Sequence, residues 1–423
     1  MNDRIFSTAV SVGLLAATPV MGTSFEGLGD LPGGKFESSA QRVSDNGLVV
    51  VGYGTTASGQ QAFRWTRSEG IVSLGNLSDG SFVQSCANDV SADGAVVVGT
   101  GDPSTNSDWN SGWSNFKGFR WTQSGGMTNI GSLNGSTRYE AWGVSADGSV
   151  VVGDGGSQAF RWTQSGGITG LGVLPGRANS RACSVSADGS VAVGSSYNLP
   201  NWDNEQAFRW TQSGGMVGLG YLPGGNSSFA NVVSPDGTVV VGTSSSSAGY
   251  PSFRWTQSTG MQSIGDLPGG QFWSHPFGVS TAGSVIVGTG STASGNFNCA
   301  YIWDAAHGMR NLQTVLQTEH GLNLTGWTLT CAFDITPDGQ VIVGFGTNPS
   351  GQQEAWRAVL SSPRLAMTLN GTNAGVSWNP IHSEYVLESA AQLGGTWTPV
   401  PGVTNCAVTV PVNSESQFFR LRK

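Results

Sequence analysis

Seven times along the chain a run of apolar, mostly β-branched residues closes on a glycine, and the polar positions around each run fall at matching places. The best copy is Val144-Ser145-Ala146-Asp147-Gly148-Ser149-Val150-Val151-Val152-Gly153, and the copies end at Gly52, Gly99, Gly153, Gly194, Gly242, Gly288 and Gly344. The glycines lie 41 to 56 residues apart, the repeat length of a four-stranded propeller blade rather than of a helical solenoid. Each unit predicts four strands. The first, such as residues 87–91, runs into Ala-Asp-Gly, where Gly94 takes the positive φ of a tight hairpin. The second, residues 95–99, is a β-branched run buried on both faces. After a loop of variable length, Ala-Phe-Arg-Trp-Thr (62–66, 159–163) forms the third, and Ser-Gly-Gly turns the chain into a fourth that ends in Leu-Gly-x-Leu-Pro-Gly-Gly.

The strand count predicts how the ring closes. A fourth-strand signature at residues 25–31 precedes any hairpin, and after Ala355-Trp356-Arg357 the chain leaves without one, so the amino-terminal strand completes the last unit. The expected fold is all-β: a seven-bladed β-propeller closed by the amino-terminal strand over residues 23–363, followed by a small β-sandwich over 364–423, where six short strands replace the repeat. One helix is expected at 311–320, with Leu312, Val315 and Leu316 at helical spacing and Gly321 after it.

A charge pattern runs through the repeats. Where the hairpin carries Asp93, Asp147, Asp188, Asp236 or Asp338, the third strand of the same unit carries Arg120, Arg161, Arg209, Arg254 or Arg357, and unit six loses both, with Ala282 and Ile302 in those places. This predicts partly buried structural ion pairs within or between blades.

In such a meander the two tight hairpins share one rim, and the loops after the second strand and between units share the other. The second rim collects aromatic residues: Trp109, Trp113 and Phe116 in one loop, Trp202 and Tyr250 in two more, and Trp142, Phe272 and Trp273 between units. Aromatic side chains on variable loops above a rigid ring suit ligand stacking, so these eight are the candidate binding residues. The carboxylates nearby (Asp102, Asp108, Glu140, Asp203, Glu205) show neither calcium-loop spacing nor a paired-acid motif, and no catalytic residue or metal ligand is assigned. The four histidines are too scattered for a ligand cluster.

Composition narrows the partners. Sixty-four glycines and only 11% charged residues fit a turn-rich β protein, and a net charge of −8 without runs argues against nucleic acid and against anionic membranes. Residues 1–22 read as a secretory signal, with Arg4, an apolar run from 6 to 17 and small residues at 20–22. No later segment is long and apolar enough to span a bilayer, and the five cysteines lack metal-site spacing, so no cofactor is expected.

With these motifs in order, the chain resembles the bacterial extracellular HAF-repeat proteins over residues 25–360, and Leu324-Thr325-Gly326-Trp327 through Ala355-Trp356 resembles their closing unit. The tail, with Tyr385-Val386-Leu387-Glu388-Ser389, Trp397 and Phe418-Phe419-Arg420-Leu421, is similar to a carboxy-terminal β-module of secreted bacterial proteins. The resemblance implies a secreted or surface location and brings no catalytic residues. The expected function is non-catalytic binding of a glycan or a surface protein through the aromatic rim; the alternatives are a polysaccharide-acting enzyme with a central pocket and a purely structural surface protein.

Overall fold

A computed structural model describes residues 6–7, 23–77, 84–102, 115–199, 204–292 and 298–360, and in the carboxy-terminal part 366–370, 373–377, 386–391, 395–404, 407–411 and 418–422. The repeats fold as four-stranded antiparallel sheets, each strand hydrogen-bonded to the next in sequence. The first sheet contains Gly33–Val43, Val49–Thr56, Gly59–Thr66 and Gly70–Ser73, and the second Gln84–Val90, Val96–Asp102, Lys117–Thr122 and Gly126–Asn129. Sheets three to six begin at Glu140–Val144, Asn179–Val185, Ser228–Val233 and Ser274–Val279. The seventh joins Thr328–Ile335, Val341–Thr347 and Gln353–Val359 to the amino-terminal strand Ser24–Gly27, with Phe25 opposite Ala358. Each sheet packs on the next, and the seventh packs on the first.

The core lies between neighbouring sheets. Val49, Val51, Ala62, Leu74 and Leu77 of the first meet Ala87, Val90, Val97, Phe119 and Met127 of the second. At the centre of each third strand stands one aromatic ring that solvent does not reach (Phe63, Phe119, Phe160, Phe208, Phe253, Tyr301, Trp356), and fully burying such a side chain is worth roughly 2–3 kcal/mol. The repeat glycine makes room for it: a methyl group on Gly99 would collide with the carbonyl oxygen of Cys86 and the ring of Phe119. The helix forms at Leu312–Thr318 and buries Leu312, Val315 and Leu316.

The hairpins hold themselves. Ser91 Oγ donates to Asp93 Oδ1 (2.7 Å) and accepts the Val96 N–H (2.9 Å), while the Ala95 N–H bonds the same Asp93 oxygen (2.9 Å). Ser145 with Asp147, Ser186 with Asp188, Ser234 with Asp236 and Thr336 with Asp338 repeat the device. The hydroxyl bond holds the carboxyls of Asp93, Asp147 and Asp188 below the usual range.

The expected ion pairs Asp93–Arg120, Asp147–Arg161, Asp188–Arg209, Asp236–Arg254 and Asp338–Arg357 are therefore replaced by other contacts. Four of the five arginines reach forward to the hairpin of the following sheet and meet its backbone: Arg120 donates to Gly148 O (3.4 Å), Arg209 to Gly237 O (3.4 Å), Arg254 to Ala282 O (3.1 Å) and Arg357 to Gly47 O (2.8 Å). Arg161 lines one groove with Asp188 of the next sheet rather than with Asp147 of its own hairpin. Arg357 carries an ion pair of its own, to Glu26 of the clasping strand at 3.0 Å.

The carboxy-terminal unit contains a three-stranded sheet (Ala366–Asn370, Asn373–Ser377, Ala407–Pro411) and a second sheet in which Phe418–Arg422 lies between Val386–Ala390 and the two-residue strand Phe6–Ser7. Val376, Leu387 and Phe419 form its core, and Arg420 pairs with Glu388 at 2.8 Å while covering the Trp397 ring.

Candidate functional site: the central channel and its loop rim

The first strand of each sheet lies innermost, touching the first strands on either side. Every one of them carries a bulge just after the repeat alanine, or after Pro276 in the sixth sheet. A bulge turns an extra residue out of the ladder and frees a backbone N–H. The residues two places after the alanine or proline are Arg42, Asp89, Gly143, Ser184, Val232, Gly278 and Asp334, and they form a tier near the hairpin end of the channel.

Those side chains repair the bulges. Asp334 Oδ2 accepts the Val43 N–H of the first sheet (3.0 Å), Asp89 Oδ2 accepts the Val144 N–H of the third (2.8 Å), and Ser184 Oγ accepts the Val233 N–H of the fifth (3.3 Å). Arg42 cannot accept, and Val90 is served by Asp89 Oδ1 of its own sheet (2.9 Å). Arg42 stands between the two aspartates, with its Nε 3.9 Å from Asp89 Oδ1 and its Nη1 donating to Phe333 O (3.1 Å). Burial pushes Asp334 up to about 7 and Asp89 up to about 6, against the pull of Arg42. Asp45 at the first hairpin is also raised, by burial and by Asp338 of the seventh.

Backbone bonds link neighbouring hairpin tips at this end. Ala92 N bonds Ala146 O, Ala146 N bonds Ala187 O, Ala187 N bonds Pro235 O and Thr281 N bonds Pro337 O, at 2.9–3.0 Å. Pro235 and Pro337 have no N–H to pass on, so this chain of bonds stops after the fifth sheet and again after the seventh. A shallow pocket of about 90 Å³ at this end is lined by Arg42, Asp89 and Asp334. The carboxylates most displaced from their ordinary range thus serve the backbone of the ring.

Towards the loop rim the channel changes character. Phe229 and His275 stack at 6.4 Å, His275 meets Phe277 at 4.8 Å, Phe277 meets Phe333 at 4.8 Å, and Phe333 stacks on Phe345 at 5.7 Å, an aromatic arc across sheets five to seven. Arg181 covers the Phe229 face (4.6 Å) and pairs with Glu205 (3.0 Å). Next to it, Arg138 pairs with Glu140 (2.7 Å) and Asp154 (3.6 Å), and burial raises both carboxyls. His275 lies between Asn231 Nδ2 (2.6 Å) and Thr243 Oγ1 (3.1 Å), and burial, helped by Arg181, drops it to about 4, so it is neutral near pH 7. Burial also pushes the Cys86 and Cys183 thiols up to about 12, which leaves them unreactive.

Of the eight candidate binding residues, Trp109, Trp113 and Trp202 lie outside the described residues. Phe116 is 5% exposed, so it is no surface contact. Trp142 is 38% exposed and sits in the inner strand of the third sheet, at the register position of Asn231 and Phe333. Tyr250, 55% exposed, is brought to the last pair, Phe272 and Trp273: the Tyr250 N–H donates to Phe272 O (3.0 Å) and a bridge joins Tyr250 to Trp273. Phe272 takes a φ of +32°, in the loop that runs into the inner strand two residues before His275. Sequence reasoning missed Arg42, Asp89 and Asp334; charges in a column otherwise small or apolar were the available signal. Among the described residues no cluster of His, Cys, Asp or Glu is arranged to hold a metal, and no helix is long and apolar enough to cross a membrane.

No protein-family model and no curated protein matches the chain. Among solved structures it is similar to an oligogalacturonate lyase from Vibrio parahaemolyticus, with a TM-score of 0.50 at 12% identity over 81% of this chain and 98% of that one. A puromycin hydrolase aligns with a TM-score of 0.45 at 14% identity, over 81% of this chain and 58% of the other. TolB from Acinetobacter baumannii aligns with a TM-score of 0.41 at 13% identity, and the chain spans 62% of its length. At such identity the likeness to the lyase is one of fold: the chain is an all-β protein of β-propeller fold.

Proposed function

We propose that the chain is a secreted or surface-located seven-bladed propeller of the HAF-repeat kind with a carboxy-terminal β-sandwich, and that it binds a glycan or protein, without catalysis, through its loop rim. The observation that carries this is the Tyr250, Phe272 and Trp273 cluster, in which backbone bonds join the loops of adjacent sheets. Holding a non-glycine residue at positive φ costs stability, and it is tolerated here beside a large exposed aromatic ring. Asp89 and Asp334, the carboxylates raised furthest, accept backbone N–H groups of neighbouring sheets, a structural role.

The test is a glycan-array and pull-down screen of the mature protein, repeated with Tyr250→Ala and Trp273→Ala, which should each weaken binding by tenfold or more. Undiminished binding by both variants refutes the rim reading, and release of new sugar ends from a polysaccharide by the wild type refutes the non-catalytic one.

A further inference from the structure

We propose that the groove between the third and fourth sheets, on the hairpin side, is a separate site for a sugar residue that carries a single carboxylate. It does not depend on the rim reading, since it lies at the end of the sheets away from the aromatic loops. Arg161 enters it from the third strand of the third sheet, Ala159–Thr163. Arg209 and Trp210 line it from the third strand of the fourth sheet, Gln206–Thr211, and Ser190 and Gln212 from that sheet's two hairpins. The groove measures about 560 Å³, within the ~300–1,000 Å³ of small-ligand sites.

Arg161 sets this groove apart. The other third-strand arginines all have acceptors: Arg64 pairs with Glu69 (3.4 Å) and Arg357 with Glu26 (3.0 Å), while Arg120, Arg209 and Arg254 meet hairpin carbonyls. Arg161, half-buried, has no hydrogen bond or ion pair among the described residues. The Asp188 carboxylate lines the same groove but is already engaged: Oδ1 accepts Ser186 Oγ (2.6 Å) and the Ser190 N–H (3.0 Å), and Oδ2 accepts Ser190 Oγ (2.8 Å). A guanidinium left in this state presents a planar fork of donors that a carboxylate fits with two parallel bonds. Arg209 commits only Nη2, to Gly237 O at 3.4 Å, so it has donors left as well. Two guanidinium groups and one carboxylate leave a single positive charge in the groove, which suits a monoanion. A phosphate monoester, at about −1.5 to −2 near pH 7, would set its second charge against Asp188. The remaining lining favours a sugar as the carrier. Trp210 is held against the core of the two sheets and offers an apolar surface, and Ser190 and Gln212 offer neutral hydrogen-bonding groups beside it. An extended peptide finds no edge to join, because the third strands of both sheets are hydrogen-bonded on both sides.

The experiment screens the mature protein against an array of hexuronate-containing oligosaccharides, each beside its carboxyl-reduced neutral form and a sulfated counterpart, with acidic peptides as a further arm. The wild type should bind at least one hexuronate oligomer, and reducing the carboxyl should lower that affinity about tenfold or more, the effect of losing a charge-assisted pair. Arg161→Gln should lower it as much with an unchanged melting temperature, because the side chain it removes touches no acceptor in the protein. Arg161→Lys keeps the charge without the fork and should recover only part of the affinity. Trp273→Ala should leave hexuronate binding intact, which separates the groove from the rim. Full affinity in Arg161→Gln, equal binding of the reduced sugars, preference for sulfated sugars or acidic peptides, or a wild type that binds no hexuronate oligomer each overturns the groove site. Hexuronate binding lost in Trp273→Ala and kept in Arg161→Gln overturns it in favour of the rim.

Discussion

Replacing Asp334 by Asn should flatten the dependence of stability on pH. Burial lifts this carboxyl from 3.8 to about 7, roughly three units, and each unit corresponds to about 1.4 kcal/mol of preference for the protonated form in the folded state. The sign follows from linkage. A carboxyl whose folded value is raised contributes stability that is fully present below its unfolded value, near 4, and lost as pH rises through about 7. The loss on that basis is about 4 kcal/mol, trimmed toward ~2–3 kcal/mol by water in the channel, since the neighbouring Asp89 side chain keeps 20% exposure there. For a ring of this size that amounts to a fall of about 3–5 °C in Tm between pH 4.5 and pH 8 attributable to this residue. Asn keeps one acceptor for Val43 or Ile335 but not both, a cost of about 1 kcal/mol at every pH. Calorimetric melts of wild type and Asp334→Asn at pH 4.5, 6 and 8 should therefore cross as pH rises, the variant about 1 kcal/mol less stable than wild type in acid and about 1–2 kcal/mol more stable at pH 8. Other raised carboxyls, such as Glu140 and Asp154, tilt both curves alike and cancel in the comparison. Parallel curves would refute the reasoning.

Two further outcomes follow from the fold. A double-mutant cycle on Asp93 and Arg120 should give a coupling energy within about 0.5 kcal/mol of zero, because one residue caps its own hairpin and the other reaches the next, whereas Ser91→Ala and Asp93→Ala should couple strongly through their shared bond; chemical denaturation reads both. Glu26→Ala should cost about 3 kcal/mol or more in the same assay, since it strips Arg357, 1% exposed, of its carboxylate partner, and Glu26→Gln should cost less.

The repeat units were legible because three local signals coincide in each: a hairpin Ser-x-Asp-Gly, a glycine that must sit under a carbonyl, and one large ring. The same regularity misled on charge. Asp and Arg vanish together from unit six, yet Arg254 of the fifth sheet still reaches the sixth hairpin through the carbonyls of Ala282 and Gly283. Their joint absence is thus not the loss of a contact, and a backbone acceptor leaves no trace in the sequence of its own position. The channel tiers stayed hidden for a related reason: the bulge after Ala40, Ala87 and Ala332 breaks the two-residue alternation, so Arg42, Asp89 and Asp334 fall out of phase with their strands. Phe272 and Trp273 were visible by aromatic density alone, but not their junction with Tyr250, which joins segments from different units.

The clasp between Ser24–Gly27 and Gln353–Val359 sets an order of events. Glu26 and Arg357 are 331 residues apart, so a chain emerging from the ribosome or from an export pore holds its first strand without a partner until nearly every sheet has been made. Bringing those ends together costs about 5 kcal/mol of chain entropy in an unstructured polymer, and far less once six stacked sheets have carried the carboxy-terminal strands back beside the start. The last step of folding is then a docking of prebuilt parts, and a chain truncated a few residues short of Val359 would complete most of its sheets and still leave both ends of the stack open to a neighbour.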